Sequence, residues 1–89
     1  MTLEEVNKFA EAEGEDIIAF SNPDYKNSIL GISVDNRLIY DYDLMIKDLM
    51  ETEDLSEIEA IEFIEYNTIR ALSYYENAPI ILQVKSYDE

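Results

Sequence analysis

The sequence predicts an α+β fold: a small antiparallel or mixed sheet, made of a hairpin plus a C-terminal strand, with three helices packed on it. Three observations carry that expectation. Reciprocal helix starts stand at Thr2–Glu5 and Ser56–Glu59. An apolar run broken by Asp35-Asn36 has the form of a hairpin. A short apolar segment after Pro79 reads as a last strand. At 89 residues the chain fits one compact domain over residues 1–89, with 85–89 as a loose tail. Its core is necessarily small.

Taken in order, Thr2 can accept from the amide of Glu5, whose carboxylate can reach back. Leu3, Val6, Phe9 and Ala10 recur at helical spacing. Gly14 is a natural stop, so a first helix is expected over 3–13. "DIIAF", Asp16 to Phe20, reads as a short strand or a continuation, and "SNPDYKN" as a turn centred on Pro23. Ile29, Leu30, Ile32 and Val34 then face Leu38, Ile39 and Tyr40 across Asp35-Asn36, with Gly31 marking a bulge or a close approach.

Asp41 or Asp43 caps a second helix, in which Leu44, Met45 and Leu49 form the apolar stripe, flanked by Ile46 or Met50. The third helix has the strongest signature. Ser56 and Glu59 form its capping box, and Leu55 with Ala60 forms a hydrophobic staple. Ile58, Ile61, Ile64 or Glu65, Thr68 and Leu72 mark one side, with Ala60, Phe63, Asn67 and Ala71 beside it. "ENAP" ends this helix, and Ile80 to Val84 forms the last strand. The expected core includes Phe9, Ile32, Leu49, Ile61, Ile64 and Leu72.

Charge is the unusual feature. Twenty-one acidic residues face six basic ones, a formal net charge of −15. Such a field repels nucleic-acid phosphates and anionic membranes and attracts basic protein surfaces. With 47% of residues hydrophobic, the chain is too apolar for the disordered acidic class. It has no run long enough to span a bilayer and no signal-like N-terminus, which points to the cytoplasm.

Several chemistries lose their usual residues. Without cysteine there are no disulfides or thiolate sites, and without histidine the common neutral-pH base and metal ligand are missing. Asp41-x-Asp43 opens like a calcium loop, but position six is Ile46 rather than glycine. Glu59-x-x-Glu62-x-x-Glu65 lacks the histidines of di-metal bundles. Gly14 and Gly31 are the only glycines, which leaves no phosphate-binding loop. The expectation is a protein with no enzymatic activity, cofactor or metal.

Between Asp41 and Glu65 ten acidic residues accompany a single lysine, Lys47. Helical geometry fans Asp48, Glu51, Glu59 and Glu62 over solvent faces, where the plain reading is a solvated surface. The functional reading is a partner-binding patch of Asp48, Glu51, Glu59, Glu62 and Glu65, with Tyr66 as an aromatic contact. Tyr40, Tyr42, Tyr74 and Tyr75 read first as packing residues with a wet hydroxyl. Asn67, if buried, would need partners and could cap the hairpin or the turn at Asn77.

"IEAIEFIEYNTIRAL", followed by "APIIL", together with "ILGISVDNRLIYDYDLMI", resembles a pattern in short uncharacterised proteins of Gram-positive bacteria and their phages. The resemblance spans roughly residues 28–82. It implies a mobile-element setting rather than a reaction. In general character, small acidic phage proteins also resemble anti-CRISPR and other DNA-mimic inhibitors. The leading expectation is therefore an inhibitor that occupies the basic groove of a host nucleic-acid-binding protein, without touching nucleic acid or membrane itself. The rival is a small structural or accessory protein, homodimeric through its hairpin edge, whose acidity serves only solubility.

Overall fold

The computed structural model describes residues 1–14 and 16–83. Helix α1 spans Leu3–Glu13, with the Thr2–Glu5 capping box closed in both directions. It stops at Gly14, whose φ of 66° is a left-handed conformation that costs glycine little. Strand β1, Ile29–Ile32, pairs antiparallel with β2, Leu38–Asp41. Asp41 caps α2, Tyr42–Thr52, by accepting from the Leu44 amide. Helix α3, Glu57–Phe63, starts at the Ser56–Glu59 box and runs into a π-helical segment, Ile64–Ile69. A short 3-10 turn, Leu72–Tyr74, precedes β3, Ile80–Leu82.

The sheet has the order β1-β2-β3, with β3 parallel to β2 and at an edge. The sheet is thus mixed, and the class is the expected α+β. The hairpin shifts register between Ile29 and Gly31, a bulge at the glycine. Its loop is longer than a two-residue turn. The Asn36 amide donates to the Ser33 carbonyl, and Ser33 donates to the Arg37 carbonyl. Asn36 takes a φ of 65°, so a three-residue loop ends on a left-handed residue. Val34 consequently leaves the strand and stands fully in solvent. Arg37 Nε donates to the Ala78 carbonyl at 2.7 Å, tying the hairpin end to the approach of β3.

Three other expectations are corrected. Asp16–Phe20 is irregular, not a strand. The Phe20 amide donates to the Tyr40 hydroxyl at 3.0 Å, so a side chain satisfies it where a ladder would have done so. The third helix is not uniformly α: its π segment keeps Ala60, Ile64 and Thr68, four residues apart, on one buried line. That line leaves Ile58 outside, 70% exposed. In α2 the expected stripe is present: Met45 and Leu49 are buried and Leu44 half-buried, with Ile46 rather than Met50 as the buried flanking residue. The proposed extension of β3 to Val84 and the tail 85–89 lie outside the described residues.

One apolar cluster joins α1, both hairpin strands, α2 and α3. Tyr25, Leu38, Tyr40, Met45, Leu49 and Ile64 are its largest fully buried members. Of the expected core, Leu49 and Ile64 are buried, and Ile32 and Ile61 are half-buried against the cluster. Phe9 and Leu72 are only half-buried. Leu55 packs on the same cluster as Ala60, as a staple requires.

Truncating Ile64 to alanine should cost about 2–5 kcal/mol, because the side chain is fully buried in the apolar cluster and its loss leaves a cavity. Ile58→Ala should stay within about 0.5 kcal/mol. Denaturant titration of the two variants checks this, and equal losses would mean the helix is rotated from the orientation described.

Candidate protein-interaction surface

The acidic side chains divide by depth. Among the described residues every carboxylate is exposed except Asp41, half-buried, and Asp48, 5% exposed. Each of these two serves the backbone. Asp41 is the α2 cap. Asp48 corrects the expectation of a solvent-facing residue, because it lies beside Leu49 on the inward flank of α2. Its Oδ2 accepts from the Asn27 amide at 3.2 Å and its Oδ1 from Asn27 Nδ2 at 3.1 Å. Asp48 therefore pins the 21–28 loop to α2 and is withdrawn from any docking surface.

Glu51, Glu59, Glu62, Glu65 and Tyr66 are exposed, as expected. Helices α2 and α3 pack together and are joined by Glu53 and Asp54, which add further exposed carboxylates, Asp54 in a left-handed conformation. Glu59 also accepts from the Ser56 amide, which holds its carboxyl below the usual range. Glu65 accepts from the Tyr42 hydroxyl at 3.0 Å and so couples the start of α2 to the π segment. Along the outer line of the third helix Ile58, Glu62, Tyr66 and Arg70 follow at intervals of four. Tyr66 is 67% exposed. Only one ion pair forms among the described residues, Arg37 with Asp35 at 3.9 Å on the hairpin loop. Among the described residues, no carboxylate of α2, its following turn or the third helix takes part in an ion pair.

Asn67 is exposed rather than buried, and its side chain donates to the Phe63 carbonyl at 3.2 Å. Tyr40 is wholly buried and Tyr42 nearly so, while Tyr74 and Tyr75 stand out in solvent. Sequence reasoning passed over Tyr25. It lies in the polar turn "SNPDYKN", yet it is 2% exposed and its hydroxyl pairs with Thr68 Oγ1 at 2.6 Å. A lone aromatic between charged turn residues was the available signal.

Tyr25 separates two concavities. The larger, about 380 Å³, lies between the 18–25 loop and the third helix, with Phe20, Pro23, Phe63, Ala71 and Leu72 among its walls. The smaller, about 300 Å³, is polar and lies between the same loop and α2. No group of three potential metal-ligating side chains occurs among the described residues. None of their helices is long and apolar enough to cross a membrane.

Comparison with protein-family models, curated proteins and solved structures finds no match.

Burial raises the hydroxyls of Tyr25, Tyr40 and Tyr42 above their ordinary value of 10.0; Glu65 adds to the effect at Tyr42 and Asp48 to that at Tyr25. These groups stay protonated in the folded chain where unfolded tyrosines ionise. Their contribution is complete below about pH 10 and is lost as pH rises through the folded values. Unfolding midpoints from about pH 8 to 11 should fall, less steeply in Tyr25→Phe and Tyr40→Phe. A slope unchanged in both variants would remove these tyrosines from the account. Independently, Asp48→Ala should cost about 1–3 kcal/mol by removing two hydrogen bonds that a carboxylate accepts from Asn27, read as a lowered denaturation midpoint at neutral pH.

Proposed function

We propose that this chain is a non-enzymatic protein-binding module that occupies a basic, nucleic-acid-binding groove on a host protein in the cytoplasm. It acts as an inhibitor from a phage or mobile element, with carboxylates standing where phosphates would lie. One observation carries the reading: the exposed carboxylates of α2, its following turn and α3 are unpaired within the described residues. A surface of like charges opposes its own fold by about 0.2–0.5 kcal/mol for each helical pair three or four apart. A basic partner supplies the missing counter-charge and excludes the competing nucleic acid by occupying its site.

Glu51, Glu59 and Glu62 are the side chains assigned to this contact, with Tyr66 beside them on the outer line of the third helix. Glu65 contributes charge while it retains its bond to Tyr42. Asp48, 5% exposed and bonded to Asn27, takes no part in it.

The test begins with partners retained from a host lysate at low salt and released at moderate salt, followed by competition. A double-stranded oligonucleotide should displace the protein from its partner. Glu51→Gln with Glu59→Gln and Glu62→Gln should slow association by at least tenfold; glutamine at position 59 keeps the capping geometry. Simultaneous binding of oligonucleotide and protein, or association unchanged in the triple variant, would overturn the mimic reading.

The same unpaired charge has a consequence for the free protein. Its melting midpoint should rise between about 10 and 300 mM NaCl as self-repulsion is screened. A flat or falling midpoint at fixed oligomeric state would show that the carboxylates are too dispersed to repel.

A further inference from the structure

The larger concavity has a composition opposite to that of the surface around it. None of its lining residues carries a charge. Phe20 and Pro23 form one wall, Phe63, Ala71 and Leu72 the other, and Tyr75 stands at the rim, 54% exposed. Its floor is chemically satisfied, because the Tyr25 and Thr68 hydroxyls bond each other. Nothing at that depth demands a polar ligand. At about 380 Å³ it lies at the small end of ligand-binding cavities, room for one bulky side chain.

Exposed carboxylates adjoin these walls in the chain. Asp16 lies two residues before Ile18, Asp24 directly after Pro23, Glu62 directly before Phe63, and Glu76 directly after Tyr75. Arg70, beside Ala71, and Lys26, beside Tyr25, are the basic neighbours. An occupant is therefore apolar at its centre and cationic at its edges. A second copy of this chain does not meet that description, since it would bring another net charge of −15.

The backbone around the concavity is also unusual. Asn67 and Thr68 reach it from a π-helical segment, a form that recurs at functional sites. Tyr25 has a φ of 48°, uncommon for a bulky residue and found where the surroundings over-determine the conformation. Both features lie in the walls and floor of this one concavity.

We propose that the apolar concavity between the 18–25 loop and the third helix receives one aromatic side chain of the basic partner, flanked in that partner by lysine or arginine. This inference rests on the basic-partner reading and adds to it the dry anchor that charge alone lacks. Surface charge brings the partner in, and the seated ring slows its departure.

The probe is acetyl-Lys-Lys-Phe-Lys-Lys-amide, titrated into the isotope-labelled full chain and followed by amide NMR shifts. Two controls replace the central Phe by Ala, or the four Lys by Ser. The Phe peptide should shift the amides of Phe20, Asn67 and Ala71 saturably, and each control should bind at least tenfold more weakly. Tyr75→Ala, at a rim position 54% exposed, should leave the melting midpoint unchanged, weaken the Phe peptide several-fold and leave the Ala peptide unaffected. Equal binding of the Ala peptide would overturn the anchor, while the mimic reading would still stand on its oligonucleotide competition. Equal binding of the Ser-flanked peptide would overturn the basic occupant. Shifts confined to residues outside the concavity, or no shifts, would overturn the proposal outright.

Discussion

Tyr25 is held at both ends of its side chain, and most of the architecture hangs on that double attachment. Its ring meets Phe20 edge-on, with centroids 5.5 Å apart, and Tyr40 at 6.5 Å, while its hydroxyl bonds Thr68 across the interior. Residues 16–28 have almost no regular structure, so their polar backbone needs partners from elsewhere. Tyr40 supplies one through the Phe20 amide, and Asp48 another through the Asn27 amide. The segment thereby acts as a second layer against the sheet and helices. Its own side chains complete a core that three short strands could not close.

A chain carrying this much negative charge has to keep like charges apart while burying apolar surface. It does so by giving its two withdrawn carboxylates backbone duties. Asp41 answers the orphan amides of α2, and Asp48 answers those of the irregular loop. Inside, hydroxyl pairs and backbone-to-tyrosine bonds satisfy polar groups without adding charge. The Ser28 hydroxyl is the buried exception, with no partner among the described residues. The remaining carboxylates face outward, where water screens them but nothing in the described chain neutralises them.

The parts of the fold legible in sequence were those determined by neighbours three or four residues apart. Thr2 with Glu5, Ser56 with Glu59, Asp41 as cap and Gly14 as stop each express a local hydrogen bond or a local backbone angle. The hairpin was readable from Asp35-Asn36, although its extra loop residue depended on Ser33 turning back on itself. What escaped was non-local. Asp48 looks like an outward helix residue until Asn27, twenty-one positions earlier, arrives to be bonded. Tyr25 looks like turn material until Thr68 lies opposite. The π segment was invisible for a related reason: Ile64 to Ile69 satisfies an ordinary helical pattern, and only its tertiary contacts select the wider turn. The proposed partner-binding patch was legible as composition, not as geometry, since charge excess is a sum and Asp48 contributes to the sum from inside.

The separation of charge from apolar contact also bears on how one small surface could be selective. Carboxylates attract any basic groove and lose much of that attraction within a Debye length, about 8 Å at physiological ionic strength. They raise encounter rates without distinguishing well between one cationic surface and another. A concavity walled by Phe20, Pro23, Phe63 and Leu72 discriminates by shape, but its reach is only that of direct contact. Neither element alone yields a tight and particular complex. Tyr25 links them physically, because it lies beneath the concavity and belongs to the loop that Asp48 fastens to α2, the helix bearing part of the acidic surface. Loosening that fastening would disturb the shape of the concavity before it altered the net charge. A partner would then still be attracted and would no longer be held.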